Sequence, residues 1–179
     1  MMHTQTRRDR AHPRQSGAVL IMSLLILFLL TIIGLSAMSR STMDEKMTSN
    51  MRDKQVAFEA AEYALRQGES VVANLATPSS FNQSNGLYGL YDTEPDYSAS
   101  GTWTSNASVP VGTSISGAKT QPRYFAKIIS EVQAKGSAAN ISGYPGSVAT
   151  TYYIRITARG TGISDNSQVI LREIYAKEF

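Results

Sequence analysis

The sequence predicts an α+β protein in which a long N-terminal α-helix packs on a C-terminal antiparallel β-sheet. Three observations lead there. Residues Gly17 to Met38 (GAVLIMSLLILFLLTIIGLSAM) form an uncharged, apolar run. An amphipathic stretch continues it with no Gly or Pro between Met38 and Gly68. Near the C-terminus, TTYYIRITARG and QVILREIYA alternate with the period of two that strands require, with a turn between them. At 179 residues and 19.5 kDa, there is room for one ordinary domain plus an extension.

The first element is a basic tail. Arg7, Arg8, Arg10 and Arg14 against Asp9 account for the whole formal charge of +3, so the body is neutral and no nucleic-acid partner is expected. The chain contains no Cys, which excludes a disulfide framework, thiol catalysis and Cys-rich zinc sites. The second element is the apolar run. From Ala18 to Met38, 21 residues make a helix of about 31 Å, matching a hydrocarbon core of about 30 Å. Val, Leu, Ile and Phe hold 13 of those positions and favour insertion by several kcal/mol. Only Ala37 offers a weak signal-peptidase site, so the segment reads as retained. The arginines place the tail in the cytoplasm and residues 41–179 across the membrane. These features alone fit a plain signal anchor, or a single-pass membrane sensor or enzyme with a small extracytoplasmic domain.

Beyond Arg40, Met43, Met47, Met51, Phe58, Ala61, Leu65, Val72 and Leu75 recur at three, four or seven residues, as one helical face requires. This stripe is expected to pack onto the domain that follows. Thr77-Pro78-Ser79-Ser80 supplies a stop, so one helix runs from Ala18 to Ala76, about 89 Å long, with a transmembrane half (18–40) and an amphipathic half (41–76).

Residues 77–122 are crowded with Ser, Thr, Asn, Gly, Pro and Tyr, and read as a functional surface or a loop hiding strands such as Gly101 to Ser105. Asp92, Glu94 and Asp96 bring three acids together. An EF-hand frame starting at Asp92 puts Tyr97 where Gly is needed and Trp103 where the bidentate Glu belongs. The acids therefore read as solvated, and no metal or cofactor is expected. Tyr88, Tyr91, Tyr97 and Trp103 read either as a partner surface or as pins holding the loop to its own sheet.

From Arg123 a strand is expected, with Tyr124, Ala126, Ile128 and Val132 on one face and Phe125, Lys127, Ile129 and Gln133 on the other. The turn-rich KGSAANISGYPGS precedes a second strand, which puts Tyr152, Ile154, Ile156 and Ala158 opposite Tyr153, Arg155, Thr157 and Arg159. Gly160, Gly162, Asp165 and Asn166 read as a turn into the last strand, whose buried face is either Val169/Leu171/Tyr175 or Ile170/Ile174. Arg155, Arg159 and Arg172 read as a solvated strand face. The amphipathic half of the helix is the available cover for the sheet.

A short basic leader ending in Gly, an apolar helix, an amphipathic continuation and a C-terminal sheet resemble a type IV prepilin. RQSGAVLIMSLLILFLLTIIGLSAMSRSTMDEKM, MRDKQVAFEAAEYALRQGE and YYIRITARGTG are similar to the PilX family of minor pilins, relatives of the GspK pseudopilins. The resemblance covers residues 14–76 well, the last strands loosely and residues 77–122 hardly at all. It implies the type IV pilin fold, with residues 1–17 as a leader cut by prepilin peptidase, Gly17 its last residue, and Ala18 the N-methylated new terminus. It implies an inner-membrane subunit that later joins an extracellular pilus and supports piliation, twitching motility and adhesion. The implied partners are other minor pilins, the major pilin, a tip adhesin and the inner-membrane assembly platform. GspK proteins carry a large inserted domain for which this chain is short, which favours the pilus over the alternative, a type II secretion pseudopilin.

Most pilins have Glu at the fifth mature position, where this chain has Met22, an absence shared with GspK-like tip subunits. An acid within a spanning helix costs about 2.5 to 3.5 kcal/mol at its centre, and less nearer an end, unless a partner offsets it. His3 and His12 both lie in the leader, so the mature chain has neither His nor Cys. His-based catalysis is excluded, and no enzymatic activity is expected.

Overall fold

A computed structural model describes residues 16–113, 115–133 and 150–179. The basic tail before Ser16 and the stretch KGSAANISGYPGS, where a turn is expected, lie outside the described residues. Two compact units divide the chain, one up to Met47 and the other Thr48–Phe179. Helix α1 (Ser16–Asn74) passes through both, ending two residues before the expected stop. Thr77 is extended and Pro78 opens a 3-10 turn, Pro78–Ser80; the pyrrolidine ring disfavours helical backbone at Thr77. Three carbonyls near the end of α1, those of Val72, Ala73 and Leu75, accept hydrogen bonds from Lys177 Nζ at 2.9, 2.7 and 2.6 Å. The ammonium satisfies orphan acceptors and faces the negative end of the helix dipole.

In the first unit, residues from Gly17 onward are exposed. The hydroxyls of Ser23, Thr31 and Ser36 donate to Leu20 O, Phe28 O and Ile32 O at 2.9, 2.7 and 2.9 Å. These polar groups are thus satisfied within the helix, as a hydrocarbon surrounding demands.

The second unit holds a mostly antiparallel sheet of β1 (Leu87–Tyr88), β2 (Val109–Pro110), β3 (Arg123–Gln133), β4 (Thr150–Thr161) and β5 (Gln168–Glu178). β3, β4 and β5 are joined antiparallel in sequence order. The far edge of β3 carries β1 in parallel, with Leu87 opposite Ala126, and β2 antiparallel, with Val109 opposite Tyr124. One face packs against α1, burying Val72, Ala126, Ile128, Ile154 and Ile156 together with Phe81 and Leu87. This is the α+β arrangement expected from the sequence.

Four local expectations are corrected. The apolar stripe divides: Met43, Met47, Met51 and Phe58 are exposed, and the face under the sheet is Ala57, Ala60, Ala61 and Ala64, none with any exposure. Small residues make this face because β4 rides directly on the helix backbone. Gly160 belongs to β4 rather than to the turn, and a Cβ there would lie 2.3 Å from both Ala57 O and Ala61 N. Only Gly permits that approach. Val132 is half exposed because a register shift between Ile128 and Ser130 breaks the alternation. Gly101 to Ser105 is no strand, since Ser100–Trp103 is a 3-10 turn. In β5 the inward face is Val169, Leu171, Glu173, Tyr175 and Lys177, while Ile170 and Ile174 point outward.

Candidate functional site

Gly17 and Ala18 lie in the first turn of α1, exposed and with open space around Gly17. Met22 follows one turn later with 68% of its surface exposed. The charge-free run that contains it reaches Met38 before Arg40.

The second region is the outer face of the sheet, which residues 77–122 cover. Phe125, fully buried on that face of β3, sits between Tyr88 and Trp103, with ring centroids at 6.2 and 5.7 Å. Trp103 Nε1 donates to Tyr97 O at 2.8 Å, and Tyr88 OH donates to Ala107 O at 3.0 Å. Polar tips that find main-chain acceptors allow both rings to be buried. Arg172 lies 4.6 Å over the Tyr97 ring, which remains partly exposed. Tyr91 is 95% exposed. Of the four aromatics read either as a partner surface or as pins, Tyr88 and Trp103 are pins, and Tyr91 and Tyr97 reach solvent.

Asp92 and Glu94 are tied to this covering layer rather than solvated, while Asp96 stays exposed as expected. Glu94 receives Arg155 at 2.9 Å and Arg172 at 2.7 Å, so it bridges β4 and β5. Asp92 accepts Gln83 Nε2 and Gly89 N, both at 2.7 Å, and these hydrogen bonds hold it below the usual carboxylate range. Asp96 is held down in the same way by Ser98 Oγ and N, at 2.6 and 2.9 Å. No group of acids and imidazoles suited to a metal forms among the described residues. Lys127 Nζ donates to Gly89 O, Leu90 O and Asp92 O at 3.1, 3.3 and 2.6 Å, closing the loop from below. Arg155, Arg159 and Arg172 share this face, as their alternation implies. Glu94 stands 61 residues from Arg155 and 78 from Arg172, so no local pattern paired it with them. The clue was that a row of arginines on a half-covered strand face requires a counter-charge.

On the helix side, Glu173 is the inward acid of β5. Burial, and then hydrogen bonding and charge repulsion from Glu69, push its carboxyl up to about 7 from an ordinary 4.5. Oε1 of Glu173 is buried without a partner. A folded-state pKa above the unfolded one stabilises the fold below about pH 4.5 and loses that contribution as pH rises through about 7. Urea midpoints should therefore fall between pH 5 and pH 8. Glu173→Gln should flatten the profile and raise stability at pH 8 by about 1 kcal/mol, a figure discounted for solvent screening. A wild-type profile with no decline over that window would contradict this assignment.

A helix that is apolar in its first half and lined with alanines in its second, laid on a mostly antiparallel sheet, defines a pilin-like subunit. The N-terminal domain of the PilX family matches residues 16–66, and the C-terminal domain of type IV pilus assembly protein PilX matches residues 59–177. The chain belongs to the PilX family of type IV pilus assembly proteins. The second match crosses residues 77–122, so the similarity extends over the excursion as well as the helix and last strands. No curated protein and no solved structure matches the chain.

Proposed function

We propose that this chain is a minor pilin that helps initiate type IV pilus assembly and stays at or near the fibre tip, supporting twitching motility and adhesion. Prepilin peptidase removes residues 1–17, and the mature chain starts at N-methylated Ala18. The junction of the basic tail with the apolar run at Gly17 supports that cleavage. Intact-mass analysis of membrane-extracted protein should find the methylated Ala18 terminus and no Arg-rich tail. Retention of the tail in cells with active peptidase would contradict it.

Before assembly the chain is a single-pass inner-membrane protein with residues beyond Arg40 in the periplasm. Its partners are other minor pilins, the major pilin, a tip adhesin and the inner-membrane assembly platform. Exposed Tyr91 and Tyr97 are suited to one of these contacts, since Tyr anchors interfaces at low entropic cost.

The observation that carries the tip position is Met22, an apolar side chain at the fifth residue counted from Ala18. A carboxylate in the spanning helix is tolerable only beside a positive partner, such as the amine of the next subunit outward. A subunit at the tip has no such neighbour. Met22→Glu should therefore bring no gain in piliation and should reduce docking, as read by surface pili and by the amount of this subunit in sheared fibres. More subunit spread along the shaft, with piliation at or above wild type, would rule out the tip position. Deletion should abolish piliation; loss of exoprotein release with intact pili would instead identify a secretion pseudopilin.

A further inference from the structure

Where the excursion meets the end of β4, the outer face of the sheet holds a cavity of about 250 Å³ that opens to solvent. Its walls include Trp103, Thr120, Gln121, Arg123, Arg159 and Asp165. The two arginines are in different situations. Arg123 donates from Nε to Ser108 Oγ and from Nη2 to Ser105 O, both at 2.8 Å, so its guanidinium is part of the scaffold. Arg159 forms no ion pair or hydrogen bond with the described residues, and its Nε is buried without a partner. Its guanidinium carbon lies 5.8 Å from the centre of the Trp103 ring, which fixes its place on the wall. Burial of a charged donor with nothing to receive it is disfavoured, and native structures answer it with water, an ion or a ligand.

Asp165 stands on the same wall. Its main-chain O accepts Gln168 Nε2 at 2.9 Å, while its carboxylate accepts no hydrogen bond from the described residues. It forms no ion pair with Arg159. The cavity thus brings together a half-buried guanidinium and an exposed carboxylate that attract one another without touching, and neither makes a hydrogen bond across the cavity to the described residues. An occupant that satisfies both must carry an anionic group and hydroxyl donors on one compact frame. The volume exceeds the roughly 150 Å³ that admits a benzene ring and falls short of the roughly 300 Å³ at which drug-sized pockets begin. That size suits a single six-membered ring.

We propose that this cavity binds an acidic monosaccharide, with the sugar carboxylate on Arg159 and ring hydroxyls on Asp165. The inference does not depend on where the subunit sits in a fibre. Trp103 is the sole Trp of the chain and lines the cavity, so its emission is a direct probe. Full-length protein in detergent micelles is titrated with sodium glucuronate, glucose and sodium sulfate at constant ionic strength.

Glucuronate should give a saturable change that is at least tenfold weaker in Arg159→Gln, whereas glucose should not saturate. Asp165→Asn should weaken glucuronate several-fold and leave any response to sulfate unchanged, a control that holds if Arg159→Gln loses its near-ultraviolet dichroism. No saturation with glucuronate in the wild type would overturn the proposal. So would sulfate saturating as tightly as glucuronate, which marks a bare oxyanion site, or Asp165→Asn binding glucuronate as the wild type does.

Discussion

Gly160→Ala should destabilise the folded domain by about 3 kcal/mol or more, at the upper end of what overpacking usually costs. The added methyl would stand 2.3 Å from Ala57 O and Ala61 N, and 2.8 Å from the carbonyl carbon of Ala60. All three are backbone atoms inside α1, so no side-chain rotation relieves the clash. β4 must lift from the helix, and Ile154, Ile156 and Ala158, all fully buried, must lift with it. Thermal or urea unfolding of the membrane-extracted protein provides the measurement. A change of less than about 1 kcal/mol would mean that strand and helix do not approach this closely. Gly162 meets Asp53 Oδ1 and O in the same way, at 2.1 and 2.4 Å, so the end of β4 and the turn beyond it both depend on glycine.

Phe125→Ala should cost about 3 to 5 kcal/mol, the usual range for a buried Phe. Its effect should appear on the opposite side of the sheet from that of Gly160→Ala. Phe125 is fully buried and is the ring against which Tyr88 and Trp103 rest. Its loss removes the floor beneath the excursion, so Trp103 emission should shift to the red while the helix signal in circular dichroism is retained. Unchanged Trp103 emission would show that the hydrogen bonds of residues 77–122 hold the layer without this ring.

What the sequence disclosed and what it concealed divide along a physical line. The helix and the three long strands are local patterns, and β3, β4 and β5 all lie where alternation places them, with the helix end set by Thr77 and Pro78. The buried side of the helix was misjudged because a hydrophobic period gives weight to Met47 and Phe58 and little to Ala57, Ala60 and Ala64. Side-chain volume, rather than polarity, decides which face can lie against a strand at backbone distance. In β5, an inward Glu173 and Lys177 obscured the period, and only the partners of these side chains on α1 settle it. The covering layer was beyond the reach of periodicity. It is assembled by contacts such as Glu94 with Arg172 and Trp103 with Phe125, whose members are far apart in the chain. The aromatics were legible as important, but their division into buried pins and exposed tyrosines was not.

The attachment of the last hairpin to α1 has a mechanical consequence whenever the helix is pulled along its axis. Near the start of the second unit, Asp53 receives Ser164 N at 3.1 Å and Ser164 Oγ as well, at the tip of the β4–β5 turn. Near the end of the helix, Lys177 of β5 grips the carbonyls of Val72, Ala73 and Leu75. The two fastenings are about 29 Å apart along the helix, at about 1.5 Å per residue from Asp53 to Val72. β5 runs between them in the same direction as α1. A pull applied along the helix is thus shared by both ends of the strand at once, and the strand is loaded in shear. Peeling, in which bonds fail one after another from a loose end, has no place to begin until one fastening has given way.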